Sequence, residues 1–134
     1  MHLTTTTMHV LMPFTATLEI ELVAAAKEEV RAVLTWVPER CTVGGALHGG
    51  VLMALADSAG AACAALHLPD GAGTSTIESK TNFFRGVTGG HVEAVARPLH
   101  AGRSTIVVQT DLYDADGHRV GQTTQTQAVL PPMA

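Results

Sequence analysis

Apolar and polar residues alternate in steps of two along Glu19–Ala25 (EIELVAA) and again along Glu28–Trp36 (EEVRAVLTW), where Val30, Ala32, Leu34 and Trp36 fall on one face. A period of two is that of a half-buried strand. The Ala-Ala-Lys-Glu link between the two makes them a hairpin, although it lacks a Gly-based turn. Before them, residues 1–8 (MHLTTTTM) are a polar, Thr-rich lead, so residues 1–10 are expected to be flexible; His9–Thr17 reads as a short helix with Pro13 near its first turn. Val37–Gly50 is punctuated by Pro38 and by glycines and reads as a loop. Gly50–Leu68 (GVLMALADSAGAACAALHL) is rich in Ala and Leu, has no β-branched residue after Val51 and is too long for a strand. It is predicted as the main helix, stopped by Pro69-Asp70-Gly71. The period then changes. Thr74–Phe84, His91–Leu99, Thr105–Tyr113 and Gly121–Leu130 are strand candidates, separated by Gly89-Gly90, Ala101-Gly102 and Asp114–Gly117, each suited to a turn between antiparallel neighbours. Two strands, one long helix and four strands predict an α+β domain in which an antiparallel sheet wraps the helix, with residues 11–134 forming a single domain.

Composition narrows the partners. A chain of 134 residues has room for one core. Only 15% of its residues are charged, which suggests that part of the surface is covered by another subunit. The net charge of -4 argues against nucleic acid as the main partner. Five of the eight Lys and Arg residues (Lys80, Arg85, Arg97, Arg103, Arg119) nevertheless lie beyond residue 75, leaving room for a local anion site. Cys41 and Cys63 have neither metal-ligand nor redox spacing. Residues 1–12 lack the basic start and apolar stretch of a secretory signal. The longest apolar run, Gly49–Leu68, is spoiled as a membrane span by Asp57 and its many Ala and Gly residues. The expectation is a soluble, cytoplasmic protein with no membrane partner.

Asp57 is the residue that stands out. It sits mid-helix among Leu55, Ala56, Ala59 and Ala61, with nothing charged three or four positions away to pair with it. An ionised carboxylate in a helix covered by a sheet is costly unless it is paired or wet. Two readings stand: Asp57 faces the one solvated stripe of the helix, or it is a functional carboxylate. The helix start supplies a second feature, Leu47-His48-Gly49-Gly50. Adjacent glycines let backbone approach a ligand, and the first N–H groups of a helix lack internal partners and carry the positive end of its dipole. Such a turn suits an oxyanion or a polarised carbonyl, although a Gly pair is also common at plain loop-to-helix junctions. Asp57 lies nine residues past His48, about 13 Å along a helix. One chain therefore cannot easily aim both at the same bond, and cooperation between them requires a second copy.

The run Gly45–Asp57 (GALHGGVLMALAD) resembles the signature of hotdog-fold acyl-CoA thioesterases of the PaaI-like branch. So does Thr76–Arg85 (TIESKTNFFR), and the stretch from Met12-Pro13-Phe14 to Glu21-Leu22-Val23 is similar to the family's N-terminal helix and first strand. The resemblance covers nearly all of the chain beyond residue 11. It implies an antiparallel sheet wrapped round one long helix, and a homodimer or a homotetramer built as a dimer of dimers, joined sheet edge to sheet edge. The active site would lie at that interface, the helix start of one subunit facing the carboxylate of the other. By resemblance, Gly49 donates its N–H to the thioester carbonyl, Asp57 acts as general base on water or as nucleophile, and His48 positions substrate or water.

Six residues before the His the family usually places Asn or Gln, and here Thr42 stands there. One branch orients water with a Thr or Ser one helical turn after the carboxylate; this chain has Ala61 at that position. Another uses a Ser on the following strand, where Thr76 corresponds. Coenzyme A carries phosphates, so basic groups are expected at the mouth of the site. Arg85 and Arg103-Ser104 match nucleotide-holding places in the family, with Lys80, Asn82 and Gly50 lining the approach. No metal or redox cofactor is implied, and the remaining histidines (His67, His91, His100, His118) show no metal-ligand spacing. Two other readings are a non-catalytic acyl-CoA-binding hotdog protein and a thioester dehydratase or hydratase. The first has no use for a buried carboxylate, and the second needs a His–acid pair at other positions. With five aromatic residues in all (Phe14, Trp36, Phe83, Phe84, Tyr113), small aryl and medium aliphatic acyl groups both stay open.

Overall fold

The structure is a computed structural model and describes residues 2–133. Two short helices, α1 (Thr5–Leu11) and α2 (Pro13–Thr17), precede strands β1 (Glu21–Ala25) and β2 (Val30–Thr35). Two 3₁₀ turns lead into α3 (Gly49–Ala65), followed by β3 (Gly73–Phe83), β4 (His91–Ala101), β5 (Thr105–Asp114) and β6 (Arg119–Leu130). All six strands form one antiparallel sheet in the order β1-β2-β4-β5-β6-β3. The predicted α+β architecture is the one present.

Alternation decides the inner face. Val30, Ala32 and Leu34 of β2, Val92, Ala94 and Ala96 of β4, and Ile106, Val108 and Leu112 of β5 are all buried against α3. The helix answers with Leu52, Leu55, Ala56, Ala59, Ala62 and Cys63. Small residues let it lie close to the sheet, which is why its sequence carries almost no amphipathic contrast.

The boundaries shift where local chemistry intervenes. Residues 5–8, expected as part of a polar lead, are helical because Thr4 and Thr7 form a reciprocal capping box and Met8 is buried. Met1 lies outside the described residues. β1 starts at Glu21 rather than Glu19, since Glu19 takes a left-handed backbone conformation (φ 54°) and the Ile20 N–H is taken by the carbonyl of Thr15. The helix expected to reach Leu68 stops at Ala65, and the next residues form a turn pinned by a 2.7 Å contact of His67 Nε2 with the carbonyl of Lys27.

β3 is the edge that matters. It lies at the end of the sheet beside β6, and every residue in it is exposed or half-exposed. No helix among the described residues is long and apolar enough to cross a membrane.

Candidate active site

α3 leaves one stripe uncovered: Gly50, Met53, Ala54, Asp57, Ala61 and Ala65, at spacings of three and four. Asp57 therefore sits on the helix's solvated face, and its charge is wet rather than buried. The stripe looks across a cleft at the inner side of β3. The register pairs Thr76 with Gln127, Ser79 with Gln125 and Thr81 with Thr123, which places those β3 residues on the same face as the buried β6 residues. Gly50, Met53, Ala54, Asp57, Thr76 and Ser79 line a cavity of about 330 Å³.

The Asp57 carboxylate is held on one side only. Its Oδ1 accepts from Gln125 Nε2 at 3.0 Å and from Thr76 Oγ1 at 3.3 Å. Thr76 Oγ1 in turn accepts from Gln127 Nε2 at 2.8 Å, and Thr74 Oγ1 lies 3.1 Å from Gln127 Oε1. Oδ2 makes no hydrogen bond among the described residues. The result is a carboxylate with a fixed orientation and one oxygen free to face water or a carbonyl carbon. Gln125 is fully buried, and its Oε1 has no partner among the described residues. That oxygen presses on Gly60, where an added Cβ would come within 2.1 Å of it. A glycine is thus required one turn below the carboxylate so that the glutamine can reach over the helix. Gln125 and Gln127 are functional candidates that the sequence reading missed. The available signal was a pair of glutamines at i and i+2 on the inward face of a strand, where apolar residues are the rule.

The loop before α3 builds the second half of the site. Trp36 Nε1 donates to the carbonyl of Gly45 at 2.9 Å, and a bridge joins Cys41 to Leu47. Gly44 and Gly45 both need positive φ (81° and 75°), a conformation that glycine adopts without strain. The Leu47 N–H donates to the carbonyl of Val87, tying the turn to the segment after β3. His48 caps the helix: its Nδ1 accepts from the Gly50 N–H at 2.8 Å, so in the neutral ring the proton resides on Nε2. The Gly50 amide is thus engaged by the cap, while the residue itself lines the Asp57 cavity. The Gly49 N–H finds no acceptor among the described residues and is the free donor of the turn. Thr42 lies in the same loop, exposed, its N–H bonded to the carbonyl of Ala46 and its hydroxyl unengaged.

Gly49 opens into a different cleft from Asp57. Leu47, Gly49, Leu52, Phe83, Phe84 and Arg85 line it, so Arg85 stands beside the turn. Arg103 and Ser104 lie at the other end of the sheet. The Ser104 carbonyl accepts from Val129 whereas the Arg85 N–H donates to Val120, and those two partners are nine positions apart on β6, about 30 Å of strand. A single chain does not bring the two arginines together. Lys80 and Asn82 pair with Thr124 and Gln122 and point to the outer face of the sheet, away from Asp57. Ser79, between them and Thr76, is the residue that lines the Asp57 cavity. Asp114, Asp116 and His118 cluster in the β5–β6 turn, but Asp114 Oδ1 accepts the N–H groups of both other residues, which accounts for the cluster as a turn.

Comparison with known proteins gives the family. The Thioesterase superfamily matches residues 44–121. ComA2 of Bacillus subtilis, whose name proposes an esterase, is 34% identical over 115 residues, covering 84% of this chain and 90% of that protein. A solved thioesterase from Haemophilus influenzae superposes with a TM-score of 0.92 at 26% identity, covering 100% of this chain and 95% of its own. A thioesterase from Pseudomonas aeruginosa, solved as a variant, gives 0.90 at 28% identity and covers 98% of this chain and 96% of its own. The fold is the hotdog fold, and the class it defines with this family is that of thioester hydrolases. The chain belongs to the thioesterase superfamily.

Proposed function

We propose that the protein is an acyl-CoA thioesterase of the PaaI-like branch, working with two subunits per site. The observation that carries this reading is the Asp57 carboxylate, anchored through Oδ1 by Gln125 and Thr76 with Oδ2 left free in an open cleft. Oδ2 either takes a proton from the water that attacks the thioester carbonyl or attacks that carbon itself, giving an anhydride that water then opens. Either way the carbonyl oxygen gains negative charge, and a backbone donor at a helix N-terminus stabilises it. The Gly49 N–H of a second copy is that donor. The C–S bond then breaks, and the coenzyme A thiolate leaves and takes up a proton. Side chains and water suffice for this sequence, with coenzyme A entering only as part of the substrate.

Three features support the two-subunit arrangement. Gly49 and Asp57 open into separate clefts within one chain. β3 is an exposed sheet edge carrying Ile77 and Phe83 at 61% and 49% exposure, apolar area that a second β3 would cover. Antiparallel pairing of two such edges also brings one copy's Arg85 end to the other's Arg103 end, where the phosphates of one nucleotide would meet both.

The test is Asp57→Asn, which keeps the shape and removes the base. Turnover of an acyl-CoA, followed as free thiol, is expected to fall by about 10²–10⁴ while fold and assembly are retained. Wild-type kcat in that variant would remove Asp57 from the mechanism. Retention of acyl-CoA by the wild type without thiol release would establish a binding protein instead.

A further inference from the structure

The uncovered stripe of α3 does not end at Asp57. One turn further is Ala61 and another turn on is Ala65, and both line a second cavity of about 230 Å³. Its opposite wall is Met8, Leu11 and Met12, brought over the helix by α1. Thr74 closes the side, two residues before the Thr76 that donates to Asp57. Ala61 and Thr74 thus extend, one step along each element, the α3 and β3 walls on which Asp57 and Thr76 stand.

The cavity is apolar. Among the described residues Thr74 is its one polar side chain, and its single hydroxyl proton is shared between the carbonyl of Ala128 at 2.9 Å and Gln127 Oε1 at 3.1 Å. No aromatic ring lines it, so nothing there stacks on an aryl group. The wall is anchored from outside: Thr5 Oγ1 accepts from the Leu22 N–H at 2.9 Å, and His9 Nε2 lies 2.7 Å from the carbonyl of Ile20. α1 is therefore fixed by polar contacts on its sheet side while Met8 is buried against the core.

We infer that this cavity receives the acyl tail of the substrate and restricts it to an unsubstituted aliphatic chain of medium length. The inference rests on the acyl-CoA hydrolase reading and deepens it. A thioester whose carbonyl carbon sits at Asp57 Oδ2 has this apolar section within reach of its tail. The distance from Asp57 to Ala65 along the helix is about 12 Å. An apolar cavity of roughly 150 Å³ already holds benzene; 230 Å³ therefore takes a tail of about six to nine carbons. A carboxylate on the tail would find no donor in this wall, and a hydroxyl only the Thr74 oxygen as an acceptor, so a polar tail is disfavoured. The methionines give the wall enough play to fit a flexible chain.

The experiment is a rate series on the full-length protein with acetyl-, butyryl-, hexanoyl-, octanoyl- and dodecanoyl-CoA, with ω-hydroxyoctanoyl-CoA and a hydroxybenzoyl-CoA as polar comparisons. kcat/KM is expected to rise by about fourfold per methylene to an optimum near octanoyl and then to fall. The ω-hydroxy substrate should lose about tenfold or more against octanoyl. Ala65→Phe fills the cavity and should lower the octanoyl-to-butyryl ratio about tenfold. Met12→Ala enlarges it and should move the optimum to longer chains, so the proposal does not depend on one variant folding. A flat chain-length profile, equal rates for octanoyl and ω-hydroxyoctanoyl, or ratios unmoved in both folded variants would overturn the acyl pocket. Failure to release thiol from every acyl-CoA would instead overturn the hydrolase reading itself.

Discussion

Replacing Gln125 by Met separates what this residue does for stability from what it does for chemistry. Methionine has nearly the same length and flexibility, but it cannot donate to Asp57 and carries no carbonyl oxygen. Two terms oppose each other in the stability. A hydrogen bond to a charged group contributes about 1.5–3 kcal/mol, and here the lower end applies because Asp57 is exposed and water can replace the lost donor. Against it, the fully buried Oε1 has no partner among the described residues, and removing such an orphan recovers about 1–3 kcal/mol. The net change should stay within about 1 kcal/mol of zero, a small shift in Tm. Catalysis has no such compensation. Asp57 Oδ1 would keep only the longer bond from Thr76, and a carboxylate free to turn by an ångström costs about 10- to 100-fold in rate. The expected result is a kcat lower by that factor, KM unchanged and Tm nearly unchanged, measured by thiol release and by thermal unfolding of the same preparation. Wild-type kcat would refute the claim that Gln125 positions the carboxylate. A large fall in Tm accompanying the loss would show that the residue serves packing instead.

The shared site predicts complementation: Asp57→Asn and Gly49→Val should each be inactive, yet co-refolding equal amounts should return roughly a quarter of wild-type activity, since about half the dimers are mixed and each has one intact site. Inactivity with mixed dimers shown to form would sink the two-subunit model. Arg85→Ala and Arg103→Ala should each raise KM for an acyl-CoA by roughly ten- to a hundredfold with little change in kcat, and leave a short acyl-pantetheine thioester unaffected. Equal losses on both substrates would place these arginines away from the nucleotide. Burial pushes the Cys63 thiol up to about 11, so it should resist alkylation at pH 8 in the folded protein and react once unfolded. Because the folded value is the higher one, its contribution to stability is complete below the ordinary value of 9.0 and is lost as pH rises towards 11. Rapid native-state labelling of Cys63 by peptide mapping would contradict that burial.

Much of the fold was legible because period and punctuation are local. Alternation along β2, β4 and β5 marked the inner face, the Ala-rich run marked α3, and Gly89-Gly90, Ala101-Gly102 and Asp114–Gly117 marked the turns between strands. Asp57 and the His48–Gly50 turn were also visible, one as a charge without a helical partner and the other as a glycine pair at a helix start. Pairing decided the rest. Period two says which residues of β3 share a face, but the bulge between Thr76 and Glu78 resets that count. This is why Ser79 rather than Lys80 faces Asp57, and no pattern within β3 announces it. Gln125 lies 68 residues from Asp57 and reaches it only because β6 is next to β3 and Gly60 leaves room above the helix. Likewise, the distance between Arg85 and Arg103 follows from register, not from sequence separation. The sequence by itself determined the main helix and the strands and offered Asp57 and the His48–Gly50 turn as candidates, because those depend on neighbours along the chain. Only the tertiary structure decided which side chains hold Asp57 and which cavity adjoins it, because both depend on contacts between segments far apart in sequence.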